Sequence, residues 1–146
     1  MSKELVKQLN QLIADTTVFY QKLRHYHWNV KGPMFFQLHE KFEVIYDEVN
    51  LVIDEIAERI VGLNGVPVHT LDSMVKMSTL NEDPDLPSPE VMVTNLIKDI
   101  ETINSKLQDT IETAEDVEDR TTANLLDEIK DGLEAHLWML KAWETA

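Results

Sequence analysis

Four side chains that commonly bind metal ions lie between Leu38 and Leu63, a stretch with the length of one long helix. They are His39, Glu43, Asp54 and Glu58. Residues four apart share one face of a helix, so each neighbouring pair can act together. At about 1.5 Å of rise per residue, however, the two pairs lie roughly 17 to 22 Å apart along the axis. Each pair can therefore supply only half of a metal site within one chain.

The two pairs are related by symmetry along the sequence. His39 and Glu58 have the same midpoint, between residues 48 and 49, as Glu43 and Asp54. Two copies of the helix packed antiparallel about that point would bring each half onto its complement, and the two-fold dimer would hold two identical composite sites. The alternative is that all four are solvated charges on the outer face of an amphipathic helix. The joint symmetry and the presence of a histidine favour metal binding.

The donor atoms limit the choice of metal. Imidazole and carboxylate without sulfur suit Fe(II), Mn(II) or Zn(II), and open positions in such a site suit redox-active iron. The chain has no cysteine, which excludes disulfides and thiolate sites. The segment from His39 to Glu43 resembles the start of a zinc-protease motif, but its fifth residue is not the required histidine. No Glu-x-x-His occurs, which excludes the usual di-iron site inside a four-helix bundle.

Other histidines are weaker candidates. His27 precedes His39 by 12 residues across a Gly-Pro turn, and we take it as a further ligand, although a histidine at a helix end is more often structural. His136 falls on or beside an apolar stripe, which favours a hydrogen-bonded core or supporting role over ligation. Trp28 is next to His27, where packing is the ordinary role. Beside an oxidising iron centre it could also quench radicals.

Apolar residues that recur at three- and four-residue steps predict four long helices. The first is predicted over about residues 3–29, and the second carries its stripe from Leu38 to Leu63. The third and fourth stripes cover residues 93–114 and 125–140. Four helices with one long connection between the second and third are typical of an all-α, ferritin-like four-helix bundle.

The connection between the second and third helices has about 20 residues, a length that suits a crossover between antiparallel pairs. Residues 70–74 within it can form a short turn of helix. Ser88 is a plausible cap for the third helix, and Pro89 suits its first turn. These features predict a bundle whose two halves are joined by a partly helical strap.

Length and charge set the class of protein. The chain has 146 residues, enough for one domain over residues 1–146 and too few for two comfortable ones. Its net charge of −14, from 27 acidic and 13 basic residues, argues against a phosphate-binding surface. Such a surplus is usually a matter of solubility, but an acidic cavity also concentrates cations. Without an apolar run near 18 residues or a signal core, we expect a cytoplasmic protein with no membrane segment.

Six short motifs are spread along the chain: HWNVKGP at residues 27–33, FFQLHEKF at 35–42, YDE at 46–48, DEIAER at 54–59, GVP at 65–67 and HLWML at 136–140. Together they resemble one family, the Dps miniferritins, DNA-binding proteins from starved bacterial cells. The resemblance covers nearly the whole chain and implies a hollow dodecamer of four-helix subunits with a short extra helix in the central connector. It also implies ferroxidase sites at two-fold interfaces.

The resemblance implies specific ligands and a specific reaction. The family's iron ligands fall on His27, His39, Asp54 and Glu58, while Glu43 stands where many members have Asp. The implied chemistry is oxidation of Fe(II), preferably by hydrogen peroxide, with ferric mineral deposited inside the shell. Two electrons leave two irons together, which avoids the hydroxyl radical, and the protein's part is coordination and orientation. The resemblance also implies a bacterial cytoplasmic location.

One departure from the family concerns DNA. Many relatives bind DNA through a flexible lysine-rich tail, and this chain has none. Twelve subunits at −14 give about −168, so DNA should be repelled at neutral pH and no DNA binding is predicted. The alternatives to an iron-storing ferroxidase are a shell that compacts the nucleoid, and a shell that holds zinc or manganese without redox turnover.

A second departure concerns the three-fold pore. Relatives line this pore with aspartates near the start of the fourth helix, but two matching positions here are Arg120 and Asn124. Three acidic residues share the Asn124 side of that helix at three-, four- and seven-residue spacing. They are Asp127, Glu128 and Asp131, with Asp119 close by. These residues are a candidate iron path, or alternatively ordinary surface charge.

Overall fold

The computed structural model describes residues 2–144, which form five α-helices. The first predicted helix is confirmed, and so is the second, which begins at Phe35, one turn before the first residue of its predicted apolar stripe. The short helix in the connector is also confirmed. The helices are α1 (Lys3–Asn29), α2 (Phe35–Gly62), α3 (Leu71–Met77), α4 (Pro89–Asp116) and α5 (Arg120–Glu144).

Two helical hairpins make up the bundle. Short connections join α1 to α2 and α4 to α5, and each pair packs along its length. Contacts between α1 and α4 join the hairpins, whereas α2 and α5 touch less and leave a groove between them. The largest buried core side chains are Tyr26, Phe19 and Phe42. No helix in residues 2–144 is both long and apolar enough to cross a membrane.

Polar side chains of α1 hold the long connector in place. The fully buried Asp15 carboxylate accepts hydrogen bonds from the Thr79 backbone N–H at 2.7 Å and the Ser78 hydroxyl at 2.9 Å. The Tyr26 hydroxyl donates to Asp83 at 2.6 Å. At the far end, Ser88 caps α4 as predicted, since its hydroxyl accepts from the backbone of the first turn. The connector is thus a fixed part of the bundle.

Gly65 follows α2 where the chain passes α1. A Cβ there would lie 2.9 Å from Ile60 Cγ2 and 2.9 Å from Val6 Cγ1. We expect Gly65→Ala to lower the free energy of unfolding by about 1 to 3 kcal/mol, because these branched side chains must shift. Gly62→Ala is the matched control: nothing lies within 4 Å of its Cβ, and alanine favours helix by about 1 kcal/mol. Equal urea midpoints for the two variants would contradict this prediction.

Asp119 caps the start of α5 and ties it to α2. Its carboxylate accepts from the Thr122 backbone N–H at 3.1 Å, the Thr122 hydroxyl at 2.6 Å and the Arg59 guanidinium at 3.1 Å. Burial alone would raise the pKa of Asp119, but these hydrogen bonds and the Arg59 charge outweigh it and hold the pKa below its usual value. The ionised form therefore stabilises the fold.

This lowered pKa predicts a pH dependence. A carboxylate whose pKa is lower in the folded than in the unfolded chain stabilises the fold above the unfolded pKa, and the effect is lost as pH falls through the folded pKa. We expect Asp119→Asn, which keeps a capping side chain, to be less stable than the parent protein at pH 7. The difference should shrink below about pH 4. Urea denaturation at the two pH values measures it, and a pH-independent difference would refute the assignment.

Candidate metal centre

Two histidines form the first half of the candidate site. His27, near the end of α1, stacks on His39, near the start of α2, with ring centroids 3.8 Å apart and planes 12° from parallel. Each ring is held by the other residue's backbone. The His27 Nδ1–H donates to the carbonyl of His39 at 2.6 Å, and the His39 Nδ1–H donates to the carbonyl of His27 at 2.7 Å.

These reciprocal hydrogen bonds fix the tautomer of both rings. Because each Nδ1 carries the proton that its carbonyl accepts, each neutral ring keeps a lone pair on Nε2. A backbone carbonyl on one ring nitrogen and a metal on the other is the common arrangement of metal-binding histidines. The turn between α1 and α2 therefore leaves the Nε2 atoms of both rings available for a ligand.

Glu43 lies beside this pair of histidines. Its Oε1 lies 3.6 Å from Nε2 of His27, too far for a good hydrogen bond. A single metal ion roughly 2.0 to 2.2 Å from each atom fits between them. The His27 side chain is buried, whereas the Glu43 side chain is 50% exposed, so the cluster opens to solvent on the Glu43 side. Phe35 stacks on His39 with ring centroids 4.7 Å apart and limits its movement.

Asp54 and Glu58 form the second half, one turn apart on the exposed side of α2. A hydrogen bond with Asp54 and repulsion by its charge raise the pKa of Glu58. The two side chains are therefore close enough to repel each other when both are ionised. A cation bound between them would relieve the same repulsion, so the pair suits a metal ion as well.

The structure keeps the two halves apart. Because α2 is unbroken from Phe35 to Gly62, the separation of roughly 17 to 22 Å expected from helix geometry applies. Across residues 2–144 of one chain, no group of three or more His, Cys, Asp or Glu side chains is placed to hold a metal ion. A complete site would require a second chain.

The face of α2 that carries both halves is open and partly apolar. Phe36 is 79% exposed and Val61 is 59% exposed. Both lie on the ligand-bearing face, and their midpoint also falls between residues 48 and 49. In an antiparallel pair of α2 helices, Phe36 of one helix would cover Val61 of the other at each end of the contact. Exposed apolar side chains of this size favour a protein contact.

Comparison with known proteins identifies the family. A family model described as the ferritin-like domain matches residues 6–145. The DNA protection during starvation protein 2 of Bacillus anthracis is 42% identical over 143 residues, which cover 98% of each protein. The crystal structure of Dps from Staphylococcus aureus matches with a TM-score of 0.95 at 38% identity, covering 98% of this chain and 96% of that one. The chain belongs to the Dps family of ferritin-like proteins.

A further solved structure places a similar protein in a wider superfamily. Dps from Vibrio cholerae matches with a TM-score of 0.94 at 35% identity, covering 97% of this chain and 89% of that one. It is described as a member of a broad superfamily of ferritin-like diiron-carboxylate proteins. The predicted ferritin-like bundle with a short extra helix is thus confirmed for this Dps protein. Its family supports a general role in iron storage and protection.

His136 lies in a hydrogen-bonded network that the sequence did not indicate. The ring is buried, its Nε2–H donates to Glu48 at 2.5 Å, and its Nδ1 accepts from the Lys41 ammonium at 2.9 Å. His136 thus has partners at both nitrogens, in keeping with the supporting role expected for it. Its partners lie 95 and 88 residues away in the chain, so no local spacing could have revealed them.

The acidic residues proposed as an iron path share one surface. Asn124, Asp127, Glu128 and Asp131 all line one open pocket along α5, with Lys130 and Glu134. Asp119 does not join them, because it caps α5 and pairs with Arg59. Four of the six residues that line the pocket are therefore acidic, and its role in iron entry stays a prediction.

Proposed function

We propose that this Dps protein oxidises Fe(II) with hydrogen peroxide at sites formed between two chains. The ferric product would be stored as mineral inside a hollow dodecamer in the bacterial cytoplasm. One observation supports this most: the reciprocal Nδ1 hydrogen bonds leave Nε2 of His27 and His39 available beside Glu43. Asp54 and Glu58 of the partner subunit would complete the site.

The proposed ligands suit iron as a substrate. Imidazole ligands add no charge to a metal site, while Glu43 and the partner's carboxylates would bring negative charge that favours Fe(III) over Fe(II). Two irons held together can each give one electron to hydrogen peroxide. Its O–O bond then breaks to give two hydroxide ions, with no hydroxyl radical released. Removal of both Fe(II) and hydrogen peroxide would protect the cell from oxidative damage.

Glu43 is the least typical ligand of the set. Its side chain is one methylene longer than the Asp that many relatives carry, and it bears the same charge. The 3.6 Å approach of Oε1 to His27 Nε2 supports a retained ligand role. We propose that the longer arm changes the affinity for the second iron without abolishing the site.

The proposal is tested by loading the purified assembly with Fe(II) without oxygen and then adding hydrogen peroxide. We expect rapid oxidation at about two Fe(II) per peroxide, with iron co-eluting with the protein on gel filtration. The double variant His39→Ala, Asp54→Ala should react at the protein-free rate. Glu55→Gln, which removes an exposed carboxylate on another side of α2, is the matched control. Oxidation that survives in the double variant would overturn the proposed site.

We propose that protection does not involve direct DNA binding. The B. anthracis relative is named for DNA protection, but each chain here carries a net charge of −14. A dodecamer would carry about −168 before any cation binds, which should repel the phosphate backbone. Zinc or manganese storage is a separate alternative: if iron is the working metal, zinc should inhibit the oxidation by occupying the same ligands.

A further inference from the structure

The ammonium group of Lys41 lies between two soft donor atoms of α5. Its Nζ is 2.9 Å from Nδ1 of His136 and 3.2 Å from Sδ of Met139. The two α5 residues are three apart, so they share one face of the helix. A positive charge therefore sits within reach of an imidazole nitrogen and a thioether sulfur.

Glu48 orients the imidazole toward this position. The His136 Nε2–H donates to the Glu48 carboxylate at 2.5 Å, and because an ammonium can only donate, Nδ1 is the acceptor that faces Lys41. A carboxylate that holds one ring N–H while the other nitrogen faces a cation is the arrangement that supports metal-binding histidines. His136 is buried, whereas Met139 is 44% exposed, so a small cation can approach from the Met139 side.

We propose that His136 and Met139 bind Cu(I) at the position of the Lys41 ammonium. A thioether donor selects Cu(I) and imidazole also suits copper, whereas Mg(II), Ca(II) and Mn(II) prefer oxygen. Cu(I) and the Lys41 ammonium each carry one positive charge, so replacing the ammonium by the metal leaves the charge near Glu48 unchanged. The flexible stem of Lys41 allows its ammonium to move into water when the metal enters.

The Cu(I) position is separate from the iron ligands. On α2, Lys41 and Glu48 lie about half a turn around the helix from Glu43. The other two groups, His136 and Met139, belong to α5, which supplies none of the proposed iron ligands. Failure of one proposal would therefore leave the other standing.

Binding is tested by NMR of the assembled protein labelled with ¹³C at the methionine methyl groups. Cu(I) is titrated without oxygen, and Ag(I) serves as a probe of similar chemistry that does not change oxidation state. The Met139 resonance is assigned by its loss in Met139→Leu, a swap that conserves volume. We expect this resonance to shift and to saturate at about one Cu(I) per chain. Met77→Leu, on α3, is the control and should leave the response of Met139 unchanged.

Competition with the Cu(I) chelator bicinchoninate then ranks the variants. The affinity for Cu(I) should be lost in Met139→Leu and His136→Gln, and it should fall roughly tenfold in Glu48→Gln. It should rise in Lys41→Ala, because the competing ammonium is gone. Fe(II) oxidation by Met139→Leu should match the parent protein, and gel filtration shows whether each variant assembles. A Met139 resonance that does not move, or that still moves in an assembled His136→Gln variant, would overturn the proposal. Unchanged affinity in Lys41→Ala would do the same.

Discussion

Two inactive variants should regain Fe(II) oxidation when they assemble together. One variant lacks the histidine half through His27→Ala and His39→Ala, and the other lacks the carboxylate half through Asp54→Asn and Glu58→Gln. In a mixed two-fold dimer, one site receives both intact halves and the other receives neither. Random pairing at equal amounts should therefore restore about a quarter of the sites. Each variant alone should react at the protein-free rate.

The measurement is peroxide-driven oxidation by assemblies isolated after co-expression of the two variants with different tags. A matched control mixes the single variants His27→Ala and His39→Ala, whose defects lie in the same half and cannot complement each other. Circular dichroism shows whether the variants fold. Mixed assemblies that stay inactive, or a control that recovers equally, would rule out a site shared between subunits.

Replacing Asp99 alone should destabilise the bundle severely. Asp99 on α4 accepts a hydrogen bond from the Lys22 ammonium of α1 at 2.8 Å, and both residues are 8% exposed. Asp99→Leu leaves the Lys22 charge buried without this partner, a change that typically costs about 3 to 5 kcal/mol. Urea denaturation at a fixed protein concentration measures the loss, since assembly also contributes to stability.

The double variant Lys22→Met, Asp99→Leu should recover most of that loss. Burial raises the pKa of Asp99, and the nearby Lys22 charge only partly offsets this. The ion pair is therefore not much better than a well-packed apolar pair of similar size. If the double variant is as unstable as Asp99→Leu alone, the ion pair stabilises the fold much more than an apolar pair does, and the prediction is wrong.

Features encoded by local spacing could be predicted from the sequence. Apolar periodicity predicted the helices, which the structure confirms. The shared midpoint predicted two half-sites, which stay a prediction, from four residues that lie on one unbroken helix. The apolar stripe of α2 begins at Leu38, one turn after the helix itself begins at Phe35, because a stripe marks the buried face and not the helix end. The orientation of the His27 and His39 rings depends on the turn between α1 and α2, whose backbone geometry the sequence does not specify.

Contacts between distant segments could not be predicted in this way. Lys41, Glu48 and His136 come together only because α2 and α5 are neighbours in the folded bundle. The same holds for Asp119, which looked like one more residue of an acidic surface but pairs with Arg59 of α2. No periodicity along the chain distinguishes an acidic residue with a distant partner from one in solvent.

The distance between the two half-sites along α2 also affects the reaction order of the proposed catalysis. A lone chain contains both groups of ligands but cannot bring them to the same metal ion, so it would oxidise iron slowly. At high dilution, where chains separate, the initial rate should depend on the square of the chain concentration. Newly made chains would then stay inactive toward iron until they pair, so the chemistry begins only where a compartment to receive its product is being built.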